Sequence, residues 1–244
     1  AEQWDARASY AVAAALSLVG ALMIRRLLHE PPRRASASRG SWLSQLGPLL
    51  RRHDLALVSA GTLLVNFTFA GAISTFLPLY AKNAGISEAT IGTLFAVRAL
   101  VSAAGRIPNS IVTRHVGSQP ILLGSLALQF IVMFGIARTT DTLLLAILLA
   151  LDGLAFGGYL VAGQTWVADH TEPEHRGAAV GLYSAANSVG GILGPLLLGL
   201  VAEIWSVGLV FTVNGVVLLV GAIGYLVTVM SMNGSTRRRS VPDG

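Results

Sequence analysis

TLLLAILLALDGLAFGGYLVAGQTWVA, residues 142–168, runs for 27 residues with one charged side chain, Asp152. A helix that crosses the hydrocarbon core of a bilayer needs about 20 predominantly apolar residues. This stretch is longer than that, and it does not stand alone. Six further apolar blocks, at about 8–24, 55–80, 91–112, 119–138, 177–202 and 206–231, have comparable character. The whole chain of 244 residues is 53% hydrophobic and 12% charged, with a mean hydropathy of +0.66. A soluble domain is about 25% charged, and so much apolar surface would aggregate in water. No block has the form of a removable N-terminal signal. The expected fold is an all-α, polytopic membrane protein with seven transmembrane helices.

Charge fixes an expected orientation. Arg25, Arg26, Arg33, Arg34, Arg39, Arg51 and Arg52 share the first loop, and Arg106, Arg114, Arg176 and Arg237 to Arg239 fall on the same side if the spans alternate. Only Arg7, Lys82 and Arg138 fall on the other. Thirteen against three is a strong positive-inside bias. It places the first loop and the C-terminus in the cytoplasm of a cell (plasma or inner) membrane. The net charge of +5 therefore reads as topology, and no nucleic-acid partner is implied; the bilayer is the expected partner. The absence of cysteine excludes a disulfide framework, a thiolate metal site and a cysteine nucleophile. No metal site or cofactor is expected.

The loops divide the chain. Most are short turns, but residues 25–54 form a long basic link beginning RRLLHEPPRRASASRGSW, whose Pro, Ser and Arg content argues for a tether. Its second half, SWLSQLGPLLRRH, sets Trp42, Leu46, Leu49 and Leu50 at helical spacing, either a short helix on the inner membrane surface or a plain loop. The expected organisation is one span over 1–24, a cytoplasmic linker over 25–54, a six-span unit over 55–231 and a cytoplasmic tail over 232–244.

Two motifs lie in the six-span unit. RIPNSIVTRHVGSQP (106–120) sets Arg106, Pro108, Arg114 and Gly117 in a turn between spans. EHRGAAVGLYSAANSVGGILGPLLLG (174–199) opens a helix on Arg176-Gly177 and continues through Gly190, Gly194-Pro195 and Gly199. With the one-plus-six division, these resemble the second half of a major facilitator superfamily transporter, preceded by the last span of its first half. The first motif is similar to that family's cytoplasmic turn, with Asn109 in place of a glycine, Thr113 in place of an aspartate, and Ser118 and Gln119 in place of a basic pair. The resemblance covers nearly the whole chain. Residue 1 is Ala and the family's first five spans are absent, so the expectation is a fragment of a twelve-span protein whose missing N-terminal half is a partner.

Glycine spacing carries a packing expectation without the resemblance. Helices in lipid associate through close approach, which small residues permit. Gly153-Gly157, Gly177-Gly181 and Gly190-Gly194 each put two glycines one turn apart, and Pro195 removes a backbone donor and bends its helix. Either packing or gating accounts for them.

Only two ionisable side chains lie well inside any span: Arg98, in IGTLFAVRALVSAAG (91–105), and Asp152. Arg98 is seven residues into a span and Asp152 ten, so their depths are about 10 and 15 Å at 1.5 Å per residue. A mid-helix Arg costs about 2.5–3.5 kcal/mol on insertion scales. A pair 4 Å apart attracts by about 4 kcal/mol at an effective dielectric near 20. The simplest expectation is that the two pair, as a static clamp or as a site on a central cavity that contacts substrate or exchanges a proton. Phe156 and Tyr159 continue the Asp152 stripe toward Gly163 and Trp166. Asn66 with Thr62 and Phe69, and Tyr183 with Asn187, form similar polar-aromatic stripes. Arg98, Asp152, Asn66, Phe69, Phe156, Tyr159, Tyr183 and Asn187 are thus the candidate substrate and proton-coupling residues. Gln129, Gln164 and Asn214 read as plain interhelical hydrogen-bonding groups.

Three functions compete. A secondary active transporter would export a small-molecule substrate against protons by alternating access. A seven-span receptor or retinal protein fits the span count, but the only lysine, Lys82, lies at a span end and supplies no mid-span Schiff base. An intramembrane enzyme is disfavoured because HEPPRR is not a zinc-binding HExxH, and no Ser-His or paired-carboxylate site lies in a span. The transporter, not an enzyme, is the expectation.

Overall fold

The computed structural model describes residues 2–27, 47, 49 and 52–239. Among them every regular element is a helix: α1 (Glu2–Leu27), α2 (His53–Phe67), a π-helical segment (Thr68–Phe76), α3 (Leu77–Asn83), α4 (Glu88–Ala104), α5 (Arg106–Val116), α6 (Ser118–Ile136), α7 (Thr142–Asp169), α8 (Arg176–Ile204) and α9 (Val207–Arg239). The chain separates into two units, Ala1–Gly40 and Ser41–Gly244. The first is represented by α1, whose last turn carries Arg25 and Arg26, a placement that complements the negative end of a helix dipole. Most of the expected linker, including Trp42, Leu46 and Leu50, lies outside the described residues. Gly47 and Leu49 are helical, and Leu49 is buried.

Among the described residues five helical stretches, all in the second unit, are long and apolar enough to cross a membrane, against the seven expected: His53–Asn83, Ser118–Ile136, Thr142–Asp169, Arg176–Ile204 and Val207–Ser231. A sixth is formed if α4 and α5, bent by 42° at Gly105, are one span. The starts of two spans are fixed by side-chain caps, Ser87 accepting from the Thr90 amide at 3.2 Å and Asp141 from the Leu144 amide at 2.8 Å. Each satisfies an amide that the first helical turn leaves without a partner.

The segment expected as a turn, 106–120, is mostly helix. Pro108 sits in the first turn of α5, where a missing amide donor costs nothing. The chain reverses only at Gly117, whose φ of +92° suits glycine. Arg106 and Arg114 are exposed and form no ion pair among the described residues. Asn109 and Thr113 bond to each other instead, the Thr113 hydroxyl donating to the Asn109 carbonyl at 2.6 Å.

Helix α7 is the hub. It packs on α4, α5 and α6, while α2 and the π-helical segment pack on α8, and α9 closes against α6. Glycines set the closest approaches. A Cβ at Gly153 would strike the Arg98 carbonyl, and one at Gly157 would stand 3.0 Å from the Ser102 carbonyl oxygen. A Cβ at Gly190 would strike the Leu63 carbonyl and one at Gly194 the Phe67 carbonyl. Gly199 is in ordinary contact with Phe76. By contrast Gly177 and Gly181 face open space among the described residues.

Candidate functional site

Because Gly153 and Gly157 let α4 lie directly on α7, the arginine of one helix reaches the carboxylate of the other. Arg98 Nε donates to Asp152 Oδ2 at 2.7 Å, with Arg98 5% exposed and Asp152 fully buried. This is the single buried ion pair among the described residues; the others, Arg52–Asp54 and Lys82–Glu88, lie at helix ends. A third helix joins in. Gln129 of α6 is fully buried and its Nε2 donates to Asp152 Oδ1 at 3.4 Å. The carboxylate thus divides its two oxygens between α4 and α6.

Aromatic rings complete the cluster. The Arg98 guanidinium carbon stands 4.3 Å from the Phe69 ring centre and 5.0 Å from that of Phe156. The two rings are 5.0 Å apart and tilted by 47°. Ring faces carry negative charge density, so both attract the cation. Phe69 arrives from the π-helical segment and Phe156 from one turn beyond Asp152 on α7. Two polar atoms in the cluster remain without a hydrogen bond: Arg98 Nη2 and Gln129 Oε1, both buried.

Of the eight candidates, then, Arg98, Asp152, Phe69 and Phe156 come together. The other four tie helices to one another elsewhere. Asn66 Nδ2 donates to the Asn187 carbonyl at 2.8 Å, and Asn187 Nδ2 to the Thr62 hydroxyl at 3.1 Å, so both link α2 to α8. Tyr159 is fully buried and donates to the Val58 carbonyl at 3.0 Å, fastening α7 to α2. Tyr183 is buried against Gly163 with its hydroxyl unpaired. Further along the α7 stripe, Trp166 stacks on His170 at 4.5 Å. Asn214 exchanges hydrogen bonds with Thr68 at 3.2 and 3.3 Å, and Gln164 is exposed. Gln129 is the member that sequence reasoning missed. A clue was available: it is the one amide in the apolar run of α6 between Ser125 and Ile136.

At the opposite end of α2, Arg52 donates to Asp54 at 2.9 Å and to the His170 carbonyl at 3.0 Å. The Asp54 hydrogen bond holds the Arg52 guanidinium above its ordinary pKa. This joins the entry to α2 with the exit of α7, but as a half-exposed pair it contributes little stability. Groups of His, Cys, Asp or Glu able to hold a metal are absent among the described residues.

The sequence profile described as Major Facilitator Superfamily matches residues 60–242. The inner membrane transport protein YnfM of Escherichia coli is 26% identical over 159 residues, covering 65% of this chain and 38% of that protein. The multi-drug resistance efflux pump PmrA of Streptococcus pneumoniae is 26% identical over 165 residues, 65% of this chain and 41% of that protein. The proton-coupled antiporter flippase LtaA of Staphylococcus saprophyticus is 26% identical over 202 residues, 80% of this chain and 50% of that protein. The chain therefore spans half or less of the length of these relatives. A profile match over most of the sequence, on a chain with five helical stretches long and apolar enough to cross a membrane among its described residues, makes this a multi-pass membrane protein that belongs to the Major Facilitator Superfamily.

Proposed function

We propose that the chain forms the second half of a secondary transporter that exports a small organic molecule in exchange for protons. In this reading residues 1–24, which take in most of α1, are the last helix of the first half, 25–54 the cytoplasmic linker, 55–231 the six-helix half and 232–244 the cytoplasmic tail. The observation that carries it is the Arg98–Asp152 pair, the one buried ion pair among the described residues. A charge pair in that position costs desolvation that an apolar pair would not, and intramembrane ionisable groups mark substrate and ion pathways. The printed descriptions of the relatives, a drug efflux pump and a proton-coupled antiporter among them, support the same reading.

The mechanism is alternating access. The six-helix half rocks against its partner half about a site near the bilayer midplane. A proton taken up by Asp152 removes the negative charge that holds Arg98, so proton and substrate compete for one carboxylate. Asp152→Asn keeps the shape but cannot titrate. In the whole transporter, reconstituted in vesicles, this variant is expected to lose transport driven by a pH gradient. Transport with an unchanged pH profile would reduce the pair to a clamp and end the proposal.

Orientation is tested separately. Reporter fusions after Ala35 and after Gly234 are both expected to read cytoplasmic, on the thirteen-to-three distribution of basic residues. An extracytoplasmic signal from either one contradicts the arrangement of spans.

A further inference from the structure

The surroundings of Arg98 have the chemistry of a receptor for a cation. One carboxylate oxygen lies 2.7 Å from its Nε, and two phenyl faces stand 4.3 and 5.0 Å from its guanidinium carbon. Remove the arginine side chain and what remains is an anionic group beneath two aromatic rings, the composition that selects organic cations in general. Arg98 fills this box incompletely. Its Nη2 is buried with no partner, and so is the Oε1 of Gln129. An ionised carboxylate can only accept hydrogen bonds, so Gln129 must turn its NH2 toward Asp152 and leave its carbonyl as a spare acceptor. A buried acceptor without a donor is costly, and it is a place for a ligand N–H.

We infer that Phe69, Phe156, Asp152 and Gln129 form a seat for organic monocations bearing N–H donors, and that Arg98 occupies it as an internal surrogate which such a cation displaces. The inference rests on the reading of this cluster as the transporter's substrate and proton site, and it names the substrate class. The groups that fit are amidinium, guanidinium or primary ammonium on an apolar body. Anions are excluded by the carboxylate and by the negative ring faces. A neutral ligand that displaced Arg98 would leave the fully buried Asp152 carboxylate uncompensated. A quaternary ammonium would satisfy the rings but neither Gln129 Oε1 nor the carboxylate oxygens. Exchange of one monocation for another keeps the Asp152 carboxylate paired with a single cation throughout. Phe69 and Phe156 are only partly buried, so the ring edge of the seat reaches the surface of the unit, and an apolar body can extend from it.

The test is binding, measured by calorimetry on the full-length protein in lipid nanodiscs. Benzamidinium is compared with benzamide, benzoate and phenyltrimethylammonium, which share its ring but lack the charge, reverse it or lack the N–H donors. Benzamidinium alone is expected to bind, and Phe69→Leu combined with Phe156→Leu is expected to weaken it about tenfold. That double variant leaves the ion pair intact and so avoids a folding failure. Arg98→Ala, which removes the internal competitor, is expected to bind at least about tenfold more tightly, the competition relation for a surrogate that holds the seat most of the time. Binding by phenyltrimethylammonium equal to that of benzamidinium overturns the inference. So does binding indifferent to the two rings, or binding by Arg98→Ala with none by the wild type, since Arg98 then never leaves. Failure here, with pH-driven transport still lost in Asp152→Asn, removes the substrate class and leaves the transport reading standing.

Discussion

Arg98→Leu and Asp152→Leu are each expected to lower stability by about 3–5 kcal/mol, and the double substitution to return most of that loss. Each single change strands a charge at a buried position. The two losses differ in kind. Without Arg98, the Asp152 carboxylate keeps only the long 3.4 Å bond from Gln129, but binding a proton relieves it. Without Asp152, the guanidinium keeps two ring faces and no relief, because arginine does not deprotonate in proteins. The stability of Arg98→Leu should therefore rise, as the pH falls, relative to that of Asp152→Leu, which has no carboxylate at this site to titrate. Thermal unfolding in detergent across a pH series reads both. Single variants within about 0.5 kcal/mol of the wild type, the range of ordinary surface changes, would show that the pair contributes nothing to the fold. In the whole transporter the double variant also separates two roles: a clamp regains transport, a coupling site does not.

Gly190→Ala and Gly194→Ala should each destabilise by about 1–3 kcal/mol, the usual cost of overpacking, with leucine at either position worse. The added carbon meets backbone rather than a side chain that can turn away: the Leu63 carbonyl in one case, the Phe67 carbonyl and Gly71 amide in the other. Helix α8 would have to withdraw from α2, and the Asn66–Asn187–Thr62 hydrogen bonds that cross the same seam would lengthen with it. Gly181→Ala is the internal control. It meets nothing within 4 Å, so only the helix propensity of alanine acts, worth up to about 1 kcal/mol in favour. Opposite signs within one helix, destabilising at Gly190 and Gly194 and stabilising at Gly181, read as shifts in unfolding temperature, are the expected result. Equal effects at both would mean that the α2–α8 seam is not closed by glycine.

The sequence carried the helices, because apolar runs of this length have no other stable reading in lipid. It also carried Gly153-Gly157 and Gly190-Gly194, since one-turn spacing survives folding unchanged. Arg98 and Asp152 could be matched by elimination, being the only ionisable groups deep in any span. What it did not carry are relations that exist only across helices. Gln129 looks like any isolated amide until α6 is laid beside α7. Tyr159 lies on the same stripe as Phe156, yet its hydroxyl goes to Val58, because a stripe on a helix wheel faces different neighbours at different depths. Gly177 and Gly181 have the same spacing as the closely packed pairs and meet no neighbour in this unit. At 106–120, Pro108 and Gly117 read as a loop, whereas a proline in a first helical turn is compatible with helix and only Gly117 breaks it.

The π-helical segment was illegible for a further reason. Its mark is in the backbone, where the Leu77 amide reaches the Ala72 carbonyl five residues back, while its buried positions Thr68, Gly71, Ala72 and Phe76 fit an ordinary helix wheel and give no sign of it. On one side of it, Thr62 and Asn66 are indexed to α8; at its start, Thr68 is indexed to Asn214 of α9; one residue later, Phe69 is indexed to Arg98. A uniform α-helix is a single screw thread, so satisfying one such neighbour dictates the azimuth offered to all the rest. A change of thread partway along frees them: each end of the span can be clocked to its own partner, and one residue gained or lost between them re-aims the far end by about 100°. In this span the register is a local adjustment, and the ring that covers the arginine stands next to the adjuster.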